Sequence, residues 1–231
     1  MTTAPTITTD SNVSSTKMLS AMVGIGVLCA LLIVVTFQGT LPRIERLRAE
    51  ALAQAVFKVL PGTKETRTYY FEDGQFKEME ADISNVTKVY AGFDQLGQLT
   101  GVAVEASGQG YADILRILYG YQPASQSIIG FHVLESKETP GLGDKIEKDA
   151  DFLLNFVQLD VSLTDDSKQL KNAVVPVKQG EKQHPWEVDG ITGATISSRA
   201  IGNIIGASTQ QWVPLIYQQV NDFQLNPDSG P

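Results

Sequence analysis

The chain has 231 residues, a formal net charge of −8, a single cysteine and two histidines. Its length suits one domain with extensions, or two small domains. The negative charge argues against nucleic acid or an anionic membrane surface as a partner. One cysteine excludes an intrachain disulfide and a four-cysteine iron–sulfur cluster made by this chain alone. His132 and His184 lie far apart without metal-ligand spacing, so we expect no metal site.

An uncharged apolar run near the N-terminus predicts a membrane anchor. Residues 1–17 are rich in serine and threonine and predict a disordered tail. Met18–Phe37 then carries no charge, and a helix of this length, at about 1.5 Å per residue, matches the hydrocarbon core of a bilayer. A cleaved signal peptide is the alternative, but the run is long for one and no small-x-small site closes it. We therefore predict a retained transmembrane helix over 18–37.

The flanking charges do not decide on which side of the membrane the rest of the chain lies. Lys17 stands alone before the apolar run, whereas Arg43, Arg46 and Arg48 follow it. Taken alone, the positive-inside tendency puts the following domain in the cytoplasm. Long domains translocate largely regardless of charge, so the side stays open on sequence physics.

The segment after the anchor predicts a helix and then a series of strands. Apolar spacing from Leu41 to Leu60 indicates an amphipathic helix that Pro61-Gly62 ends. Two β-type runs flank Asp73-Gly74, which is a hairpin signal. Four more β-type or apolar runs follow, over Val86–Phe93, Leu99–Ala106, Ala112–Tyr121 and Ser127–Ser136.

A helix is predicted near the C-terminus. From Ser198, apolar residues recur on one helical face, and we expect Pro214 to interrupt the helix. A second short helix is predicted over Leu215–Phe223, and residues 226–231 predict a disordered tail. Strands that pair in sequence with helices beside them indicate an α+β domain over 38–225.

Two glycine-containing segments are candidate binding loops. Glu138–Lys145, ETPGLGDK, would expose backbone N–H groups and let a planar ligand approach, or it is a strand-to-helix loop without function. Ser107–Ile114, SGQGYADI, sets Tyr111 beside flexible glycines, where an aromatic ring can pack on a flat ligand; a hairpin turn is the plain alternative. Neither segment has the glycine pattern of a dinucleotide fingerprint.

A third candidate is Ile191–Ser198, ITGATISS. One of its hydroxyls, from Thr195, Ser197 or Ser198, can serve as an ordinary helix N-cap. The same geometry can also bind phosphate, because a helix N-terminus presents unpaired N–H groups and the positive end of the helix dipole. No histidine or cysteine stands nearby to activate a nucleophile, so the segment does not indicate a hydrolase triad.

Two of these segments resemble the FMN-binding domain family. Asp189–Thr195 resembles that family's D-x-x-[ST]-G-A-T motif, and Glu138–Gly143 resembles its flavin-contacting loop. The resemblance covers Leu41–Trp212, and it implies an α+β flavin domain. Within the family, the chain with its N-terminal anchor resembles the G subunits of Rnf (Rsx) ion-translocating ferredoxin:NAD(+) oxidoreductase complexes. It also resembles the C subunits of sodium-pumping NADH:quinone reductases, which are usually longer.

The resemblance implies a covalent cofactor, FMN, joined through its phosphate to Thr195 by a dedicated flavin transferase. It implies these further site residues: Asp189, Thr192, Gly193 and Ala194 around the attachment point and phosphate; Glu138, Thr139, Leu142 and Gly143 along the isoalloxazine ring; Lys178 near the flavin or its phosphate; and Tyr111 at the start of a strand near the site.

The resemblance also implies an electron carrier that is not an enzyme on its own. Its partners would be membrane subunits, an iron–sulfur subunit and, for maturation, the flavin transferase. The flavin domain would lie in the periplasm, anchored by a single pass in the inner membrane, against the arginine count at 43–48. Two other functions stay open: an anchored binding module without cofactor, and a membrane-tethered flavin reductase. The missing nucleotide fingerprint argues against NADH turnover by the chain alone.

Overall fold

The computed structural model of the chain describes residues 15–79 and 86–224. The chain divides into two compact units, Met1–Glu50 and Ala51–Pro231. The predicted tail at 226–231 and most of the one at 1–17 lie outside the described residues. The predicted α+β class is confirmed, because one apolar helix precedes a domain of mixed sheet and helix.

A long helix, α1 (Ser15–Val59), begins the described part of the chain. It contains the predicted anchor over 18–37 and is, in the described ranges, the helix long and apolar enough to cross a membrane. The helix continues through Pro42, so the two helices predicted around that residue are one. Apolar spanning helices tolerate such a proline. The helix ends at the predicted stop, where Gly62 has a φ of +90°.

Seven strands of the second unit form one antiparallel sheet, in the order β2-β1-β3-β4-β5-β6-β7. The hairpin predicted at Asp73-Gly74 is confirmed: φ is +53° and +83° at these residues, as a type I′ turn requires. The strands are β1 Glu65–Glu72, β2 Gln75–Glu78, β3 Lys88–Phe93, β4 Leu99–Gln109, β5 Ile114–Gln122, β6 Ser127–Glu135 and β7 Leu159–Asp160.

Helices cover both faces of this sheet. Side chains in β5 alternate between the faces: Ile117 belongs to the larger core, whereas Leu118 packs with the end of α1. Gly120 in β5 and Gly130 in β6 permit this second contact, because a Cβ at either position would collide with the Val59 carbonyl. The end of α1 therefore rests directly on the sheet backbone.

The larger core lies under α3 (Thr195–Gln218), which packs against β4 and β8 (Val175–Val177). Strand β8 forms a small parallel pair with β9 (Glu187–Asp189). The helix begins at Thr195, three residues earlier than the sequence predicts. The interruption predicted at Pro214 is wrong, because α3 continues through it. Val213 and Ile216 beside the proline are fully buried, and their packing, about 1.5–3 kcal/mol per side chain, outweighs the lost backbone hydrogen bond.

Short elements complete the domain. A 3₁₀ helix, Gly143–Glu147, and α2, Ala150–Leu154, follow β6. The second helix predicted over Leu215–Phe223 is also wrong: these residues form the last turn of α3 and then a 3₁₀ turn, Val220–Asp222. That turn closes the edge of the sheet, where the Asp222 carboxylate accepts a 2.9 Å hydrogen bond from the Phe76 N–H.

Candidate functional site

Three segments that are distant in sequence meet around one cavity of about 310 Å³. They are the turn before β5, the loop after β6 with its 3₁₀ helix, and the start of α3. The volume is at the lower end of small-molecule sites. The cavity is lined by Tyr111, Glu138, Thr139, Leu142, Gly143, Gly193, Ala194, Thr195, Ile196 and Ser197. All three segments that the sequence singled out therefore contribute to it.

The start of α3 has no side-chain cap. Its N-cap residue is Ala194, and the turn before it depends on Gly193, where φ is +83°. The Ser198 hydroxyl, a predicted cap, instead accepts a 3.1 Å hydrogen bond from the Ile191 N–H. This bond ties the turn that precedes the helix to the first turn of α3. The cap interpretation is therefore wrong, and the N–H groups of the first turn keep no partner within the helix. An anion can bind there.

Thr195, the first residue of α3, is exposed at this cavity. Its hydroxyl makes one long hydrogen bond, 3.4 Å, to the Ile191 carbonyl among the described residues. The side chain is thus held loosely, with its oxygen at the helix N-terminus and accessible from outside.

The rim of the cavity is apolar and exposed. Tyr111, Leu142 and Ile196 leave 64%, 53% and 58% of their surface to solvent, although all three are large hydrophobic residues. Such a grouping at a concave site suits a flat apolar ligand. Ile196 lies in the ITGATISS segment but was not named as a site residue, because the helix was expected to begin only at Ser198.

A carboxylate forms the floor. Glu138 is 6% exposed, and its oxygens accept hydrogen bonds from the N–H groups of Tyr111 and Ala112, at 2.8 and 3.1 Å. The Ser197 hydroxyl donates a third, at 2.6 Å. Glu138 thereby connects the turn before β5 to the first turn of α3. Ser197, considered from the sequence only as a helix cap, is also a lining residue.

A lysine lies beside the helix start. The Lys145 ammonium is 3.7 Å from the point that a Cβ on Gly193 would occupy. It ends the ETPGLGDK segment, whereas the family resemblance implies that Lys178 lies near the flavin or its phosphate. Lys178 does not line the cavity: its side chain is 71% exposed and lies 3.8 Å from Glu181. The fold brings the 3₁₀ helix that carries Lys145 against α3.

Two other predicted residues lie outside the cavity. Both Asp189 carboxylate oxygens accept from the Gly180 N–H, at 2.8 and 2.9 Å. The Thr192 N–H donates to the Gln179 side chain at 2.8 Å. These contacts hold the chain between β8 and β9 against the segment that leads into α3. Asp189 and Thr192 therefore shape the turn and do not touch the cavity.

Comparison with known proteins agrees with this geometry. The model of the FMN-binding domain matches residues 110–209, which include all three cavity segments. The C subunit of the Na(+)-translocating NADH-quinone reductase from Parabacteroides distasonis has a similar fold, with a TM-score of 0.58 and 20% identity over 75% of this chain and 96% of that one. The structure thus contains an FMN-binding domain.

The sequence relatives define the family more narrowly. The G subunit of the ion-translocating oxidoreductase complex of Methanosarcina acetivorans is 32% identical over 186 residues, 80% of this chain and 88% of the relative. The protein of the same name from Shewanella piezotolerans is 26% identical over 191 residues, 79% of this chain and 82% of the relative. The chain belongs to the family of ion-translocating oxidoreductase complex G subunits.

Proposed function

We propose that the chain is the FMN-carrying electron-transfer subunit of a membrane-bound ion-translocating oxidoreductase complex, with FMN attached through its phosphate to Thr195. One observation carries the proposal: a single cavity joins an exposed threonine at a helix N-terminus to an exposed apolar rim. FMN is a flat ring system joined to a phosphate, and the cavity offers a matching surface to each part. The family of the chain supports the same role.

The phosphate would be held at the start of α3. The N–H groups of the first turn, which have no acceptor within the helix, and the positive end of the helix dipole favour an anion there. The Lys145 ammonium, close to Gly193, adds a cation on the same side. Gly193 and Ala194 present little bulk, so the backbone can approach the phosphate closely.

The ring would lie on the apolar rim. Tyr111 offers an aromatic face, and Leu142 and Ile196 offer aliphatic surface beside it. Burial of this surface by a bound ring is favourable, at about 25 cal/mol for each Å² of apolar area removed from water. Thr139 and Gly143 complete the wall without bulk that would displace a planar group.

Attachment is an exchange at phosphorus. The bond from Thr195 Oγ1 to phosphorus forms, the phosphoanhydride bond of an activated flavin nucleotide breaks, and a nucleoside monophosphate leaves with the electron pair. The hydroxyl proton passes to a base of a separate flavin transferase, and no residue is oxidised or reduced. The exposure of Thr195 and the single long hydrogen bond of its hydroxyl among the described residues support this access.

Bound FMN would supply the chemistry of accepting and donating one or two electrons. The contribution of the chain is to bind the ring at an exposed edge, orient it and hold the phosphate. A covalent bond would keep the cofactor in place where a lost one is not easily replaced.

The anchor and the partners complete the proposal. We place residues 18–37 of α1 across the inner membrane, with the flavin domain, residues 38–225, on the periplasmic side. The length and apolar character of α1 support the anchoring. The neighbours would be membrane subunits and an iron–sulfur subunit of the same complex. An iron–sulfur cluster is held by several cysteine thiolates and this chain has one cysteine, so any such cluster would belong to another subunit.

In-gel fluorescence tests the proposed attachment. The full chain, produced with and without a flavin transferase, is denatured and separated by electrophoresis. We expect a fluorescent flavin band at the size of the chain only when the transferase is present. A dark band in both samples would contradict covalent attachment, and flavin absorbance of the native protein would then distinguish loosely bound FMN from a binding module without cofactor. For topology, a reporter fused to the C-terminus should be active only in the periplasm; cytoplasmic activity would contradict the proposed orientation.

A further inference from the structure

We propose that the buried Glu138 carboxylate sets the redox potential of the flavin, acting through its negative charge while its hydrogen bonds hold the cavity together. This inference rests on the proposed FMN site and adds a role that ring contact alone does not give. Glu138 differs from the exposed acidic residues of the domain because it lies in the wall of the cavity and is 6% exposed.

The hydrogen bonds of Glu138 turn its carboxylate into a brace between elements. One oxygen accepts from the N–H groups of Tyr111 and Ala112, and the other accepts from the Ser197 hydroxyl at 2.6 Å. Every partner is a donor, which is what an acceptor-only carboxylate needs. The turn before β5 and the start of α3 are therefore held to the same side chain.

Two glycines enclose this carboxylate. A Cβ on Gly110 would collide with one oxygen of Glu138, and a Cβ on Gly143 would collide with the other. A side chain at either position would push the carboxylate out of its place. The charge is thus fixed at one point of the cavity wall, with three donors and little room to move.

A fixed negative charge at this place opposes reduction of a neighbouring flavin, because reduction adds electrons to the ring. The effect is stronger in a water-poor wall than in open solvent. A substitution at position 138 can remove the negative charge and keep the hydrogen bonds. A glutamine at position 138 would still accept from the Tyr111 and Ala112 N–H groups through its oxygen, and its amide would donate to Ser197. It keeps the geometry and removes the charge.

The test measures the midpoint potential of the covalently bound flavin in the full chain by spectroelectrochemistry. We expect Glu138→Gln to make the potential more positive, with about a tenfold change in the ratio of reduced to oxidised flavin, or about 59 mV for a one-electron couple. The matched control is Glu147→Gln, which removes an exposed carboxylate at the end of the 3₁₀ helix that follows β6 and should leave the potential unchanged.

A second variant separates geometry from charge. Ser197→Ala removes one hydrogen bond of the brace but keeps the carboxylate, so it should lower the melting temperature without raising the potential. An unchanged potential in Glu138→Gln, or an equal rise in Ser197→Ala, would overturn the inference. Both of these results are measured on protein that carries covalent flavin. Failure of the proposed function would instead appear as wild-type protein without covalent flavin.

Discussion

The start of α3 and the β8–β9 region (residues 175–192) both carry parts of the segment from Asp189 to Thr195, yet they differ in what they contact. The first lines the cavity through Gly193, Ala194 and Thr195. In the second, the Asp189 carboxylate and the Thr192 N–H bind the protein's own backbone and side chains. A short motif therefore combines residues that line the cavity with residues that build the turn before them.

The largest expected effect tests the first region. Thr195→Ala should remove all covalent flavin while the fold and its melting temperature stay close to wild type, because the side chain is exposed and weakly bonded. In-gel fluorescence and circular dichroism measure the two properties. Thr195→Ser, which keeps a hydroxyl, is the matched control and should retain flavin. Flavin fluorescence that persists in the alanine variant would contradict the assignment.

A second comparison sets Lys145, which lies in the 3₁₀ helix beside the start of α3, against Lys178 of the β8–β9 region. Lys145→Met should slow flavin attachment about tenfold, the effect of losing one charge-assisted contact of about 1.4 kcal/mol to the phosphate. Lys178→Met, in the β8–β9 region, should attach flavin at the wild-type rate. The measurement is a time course of in-gel fluorescence with limiting transferase. Equal rates in both variants would remove Lys145 from the site.

Lys148→Met provides a further control. Lys148 belongs to the same short segment as Lys145, but its ammonium is 2.7 Å from the Asp144 carboxylate and its side chain is 71% exposed. The loss of an exposed pair has a small effect. A slow reaction in this variant would point to general charge around the site instead of a contact by Lys145.

The β8–β9 region should respond in stability. Asp189→Ala should lower the free energy of unfolding by roughly 1 kcal/mol, because the Gly180 N–H loses its charged acceptor. Urea denaturation of the domain measures this change, with the exposed Glu181→Ala as control. An Asp189→Ala variant with wild-type stability but no flavin would instead assign Asp189 to direct recognition by the transferase.

The smallest effect is a dependence on pH in the same region. Hydrogen bonds from the backbone N–H groups of Gln183 and His184 hold the pKa of Glu187 below its ordinary value of 4.5. A lowered acid pKa gives stability that is present above the unfolded pKa and is lost as pH falls through the folded one. We therefore expect Glu187→Gln to flatten the decline in unfolding free energy below about pH 4.5. A slope equal to that of wild type would contradict this role.

Much of the fold could be predicted because local signals agree with it. The hairpin at Asp73-Gly74 and the helix stop at Pro61-Gly62 depend on backbone conformations that only a few residues favour. The course of α3 through Pro214 could not be predicted, because the packing of Val213 and Ile216 is a tertiary effect.

The candidate site, like the fold, could be predicted only in part. The segments around Glu138 and Thr195 were found from their glycines and hydroxyls, and the structure places both at one cavity. Ser197 was considered only as a helix cap, and Lys145 and Ile196 were not named as site residues, because their place depends on where α3 begins and on how the fold brings the 3₁₀ helix near it. The role of Lys178 near the flavin stays a prediction, and the closeness of Lys145 to Gly193 has no signal in sequence spacing.

The most direct test of the account is site-localised mass spectrometry of wild-type chain matured with the flavin transferase. Trypsin should release the peptide from Gln183 to Arg199, which contains Thr192, Thr195, Ser197 and Ser198. We predict that this peptide gains the mass of FMN less one water, and that fragmentation places the gain on Thr195. An unmodified peptide, or a gain placed on a neighbouring hydroxyl, would contradict the central claim.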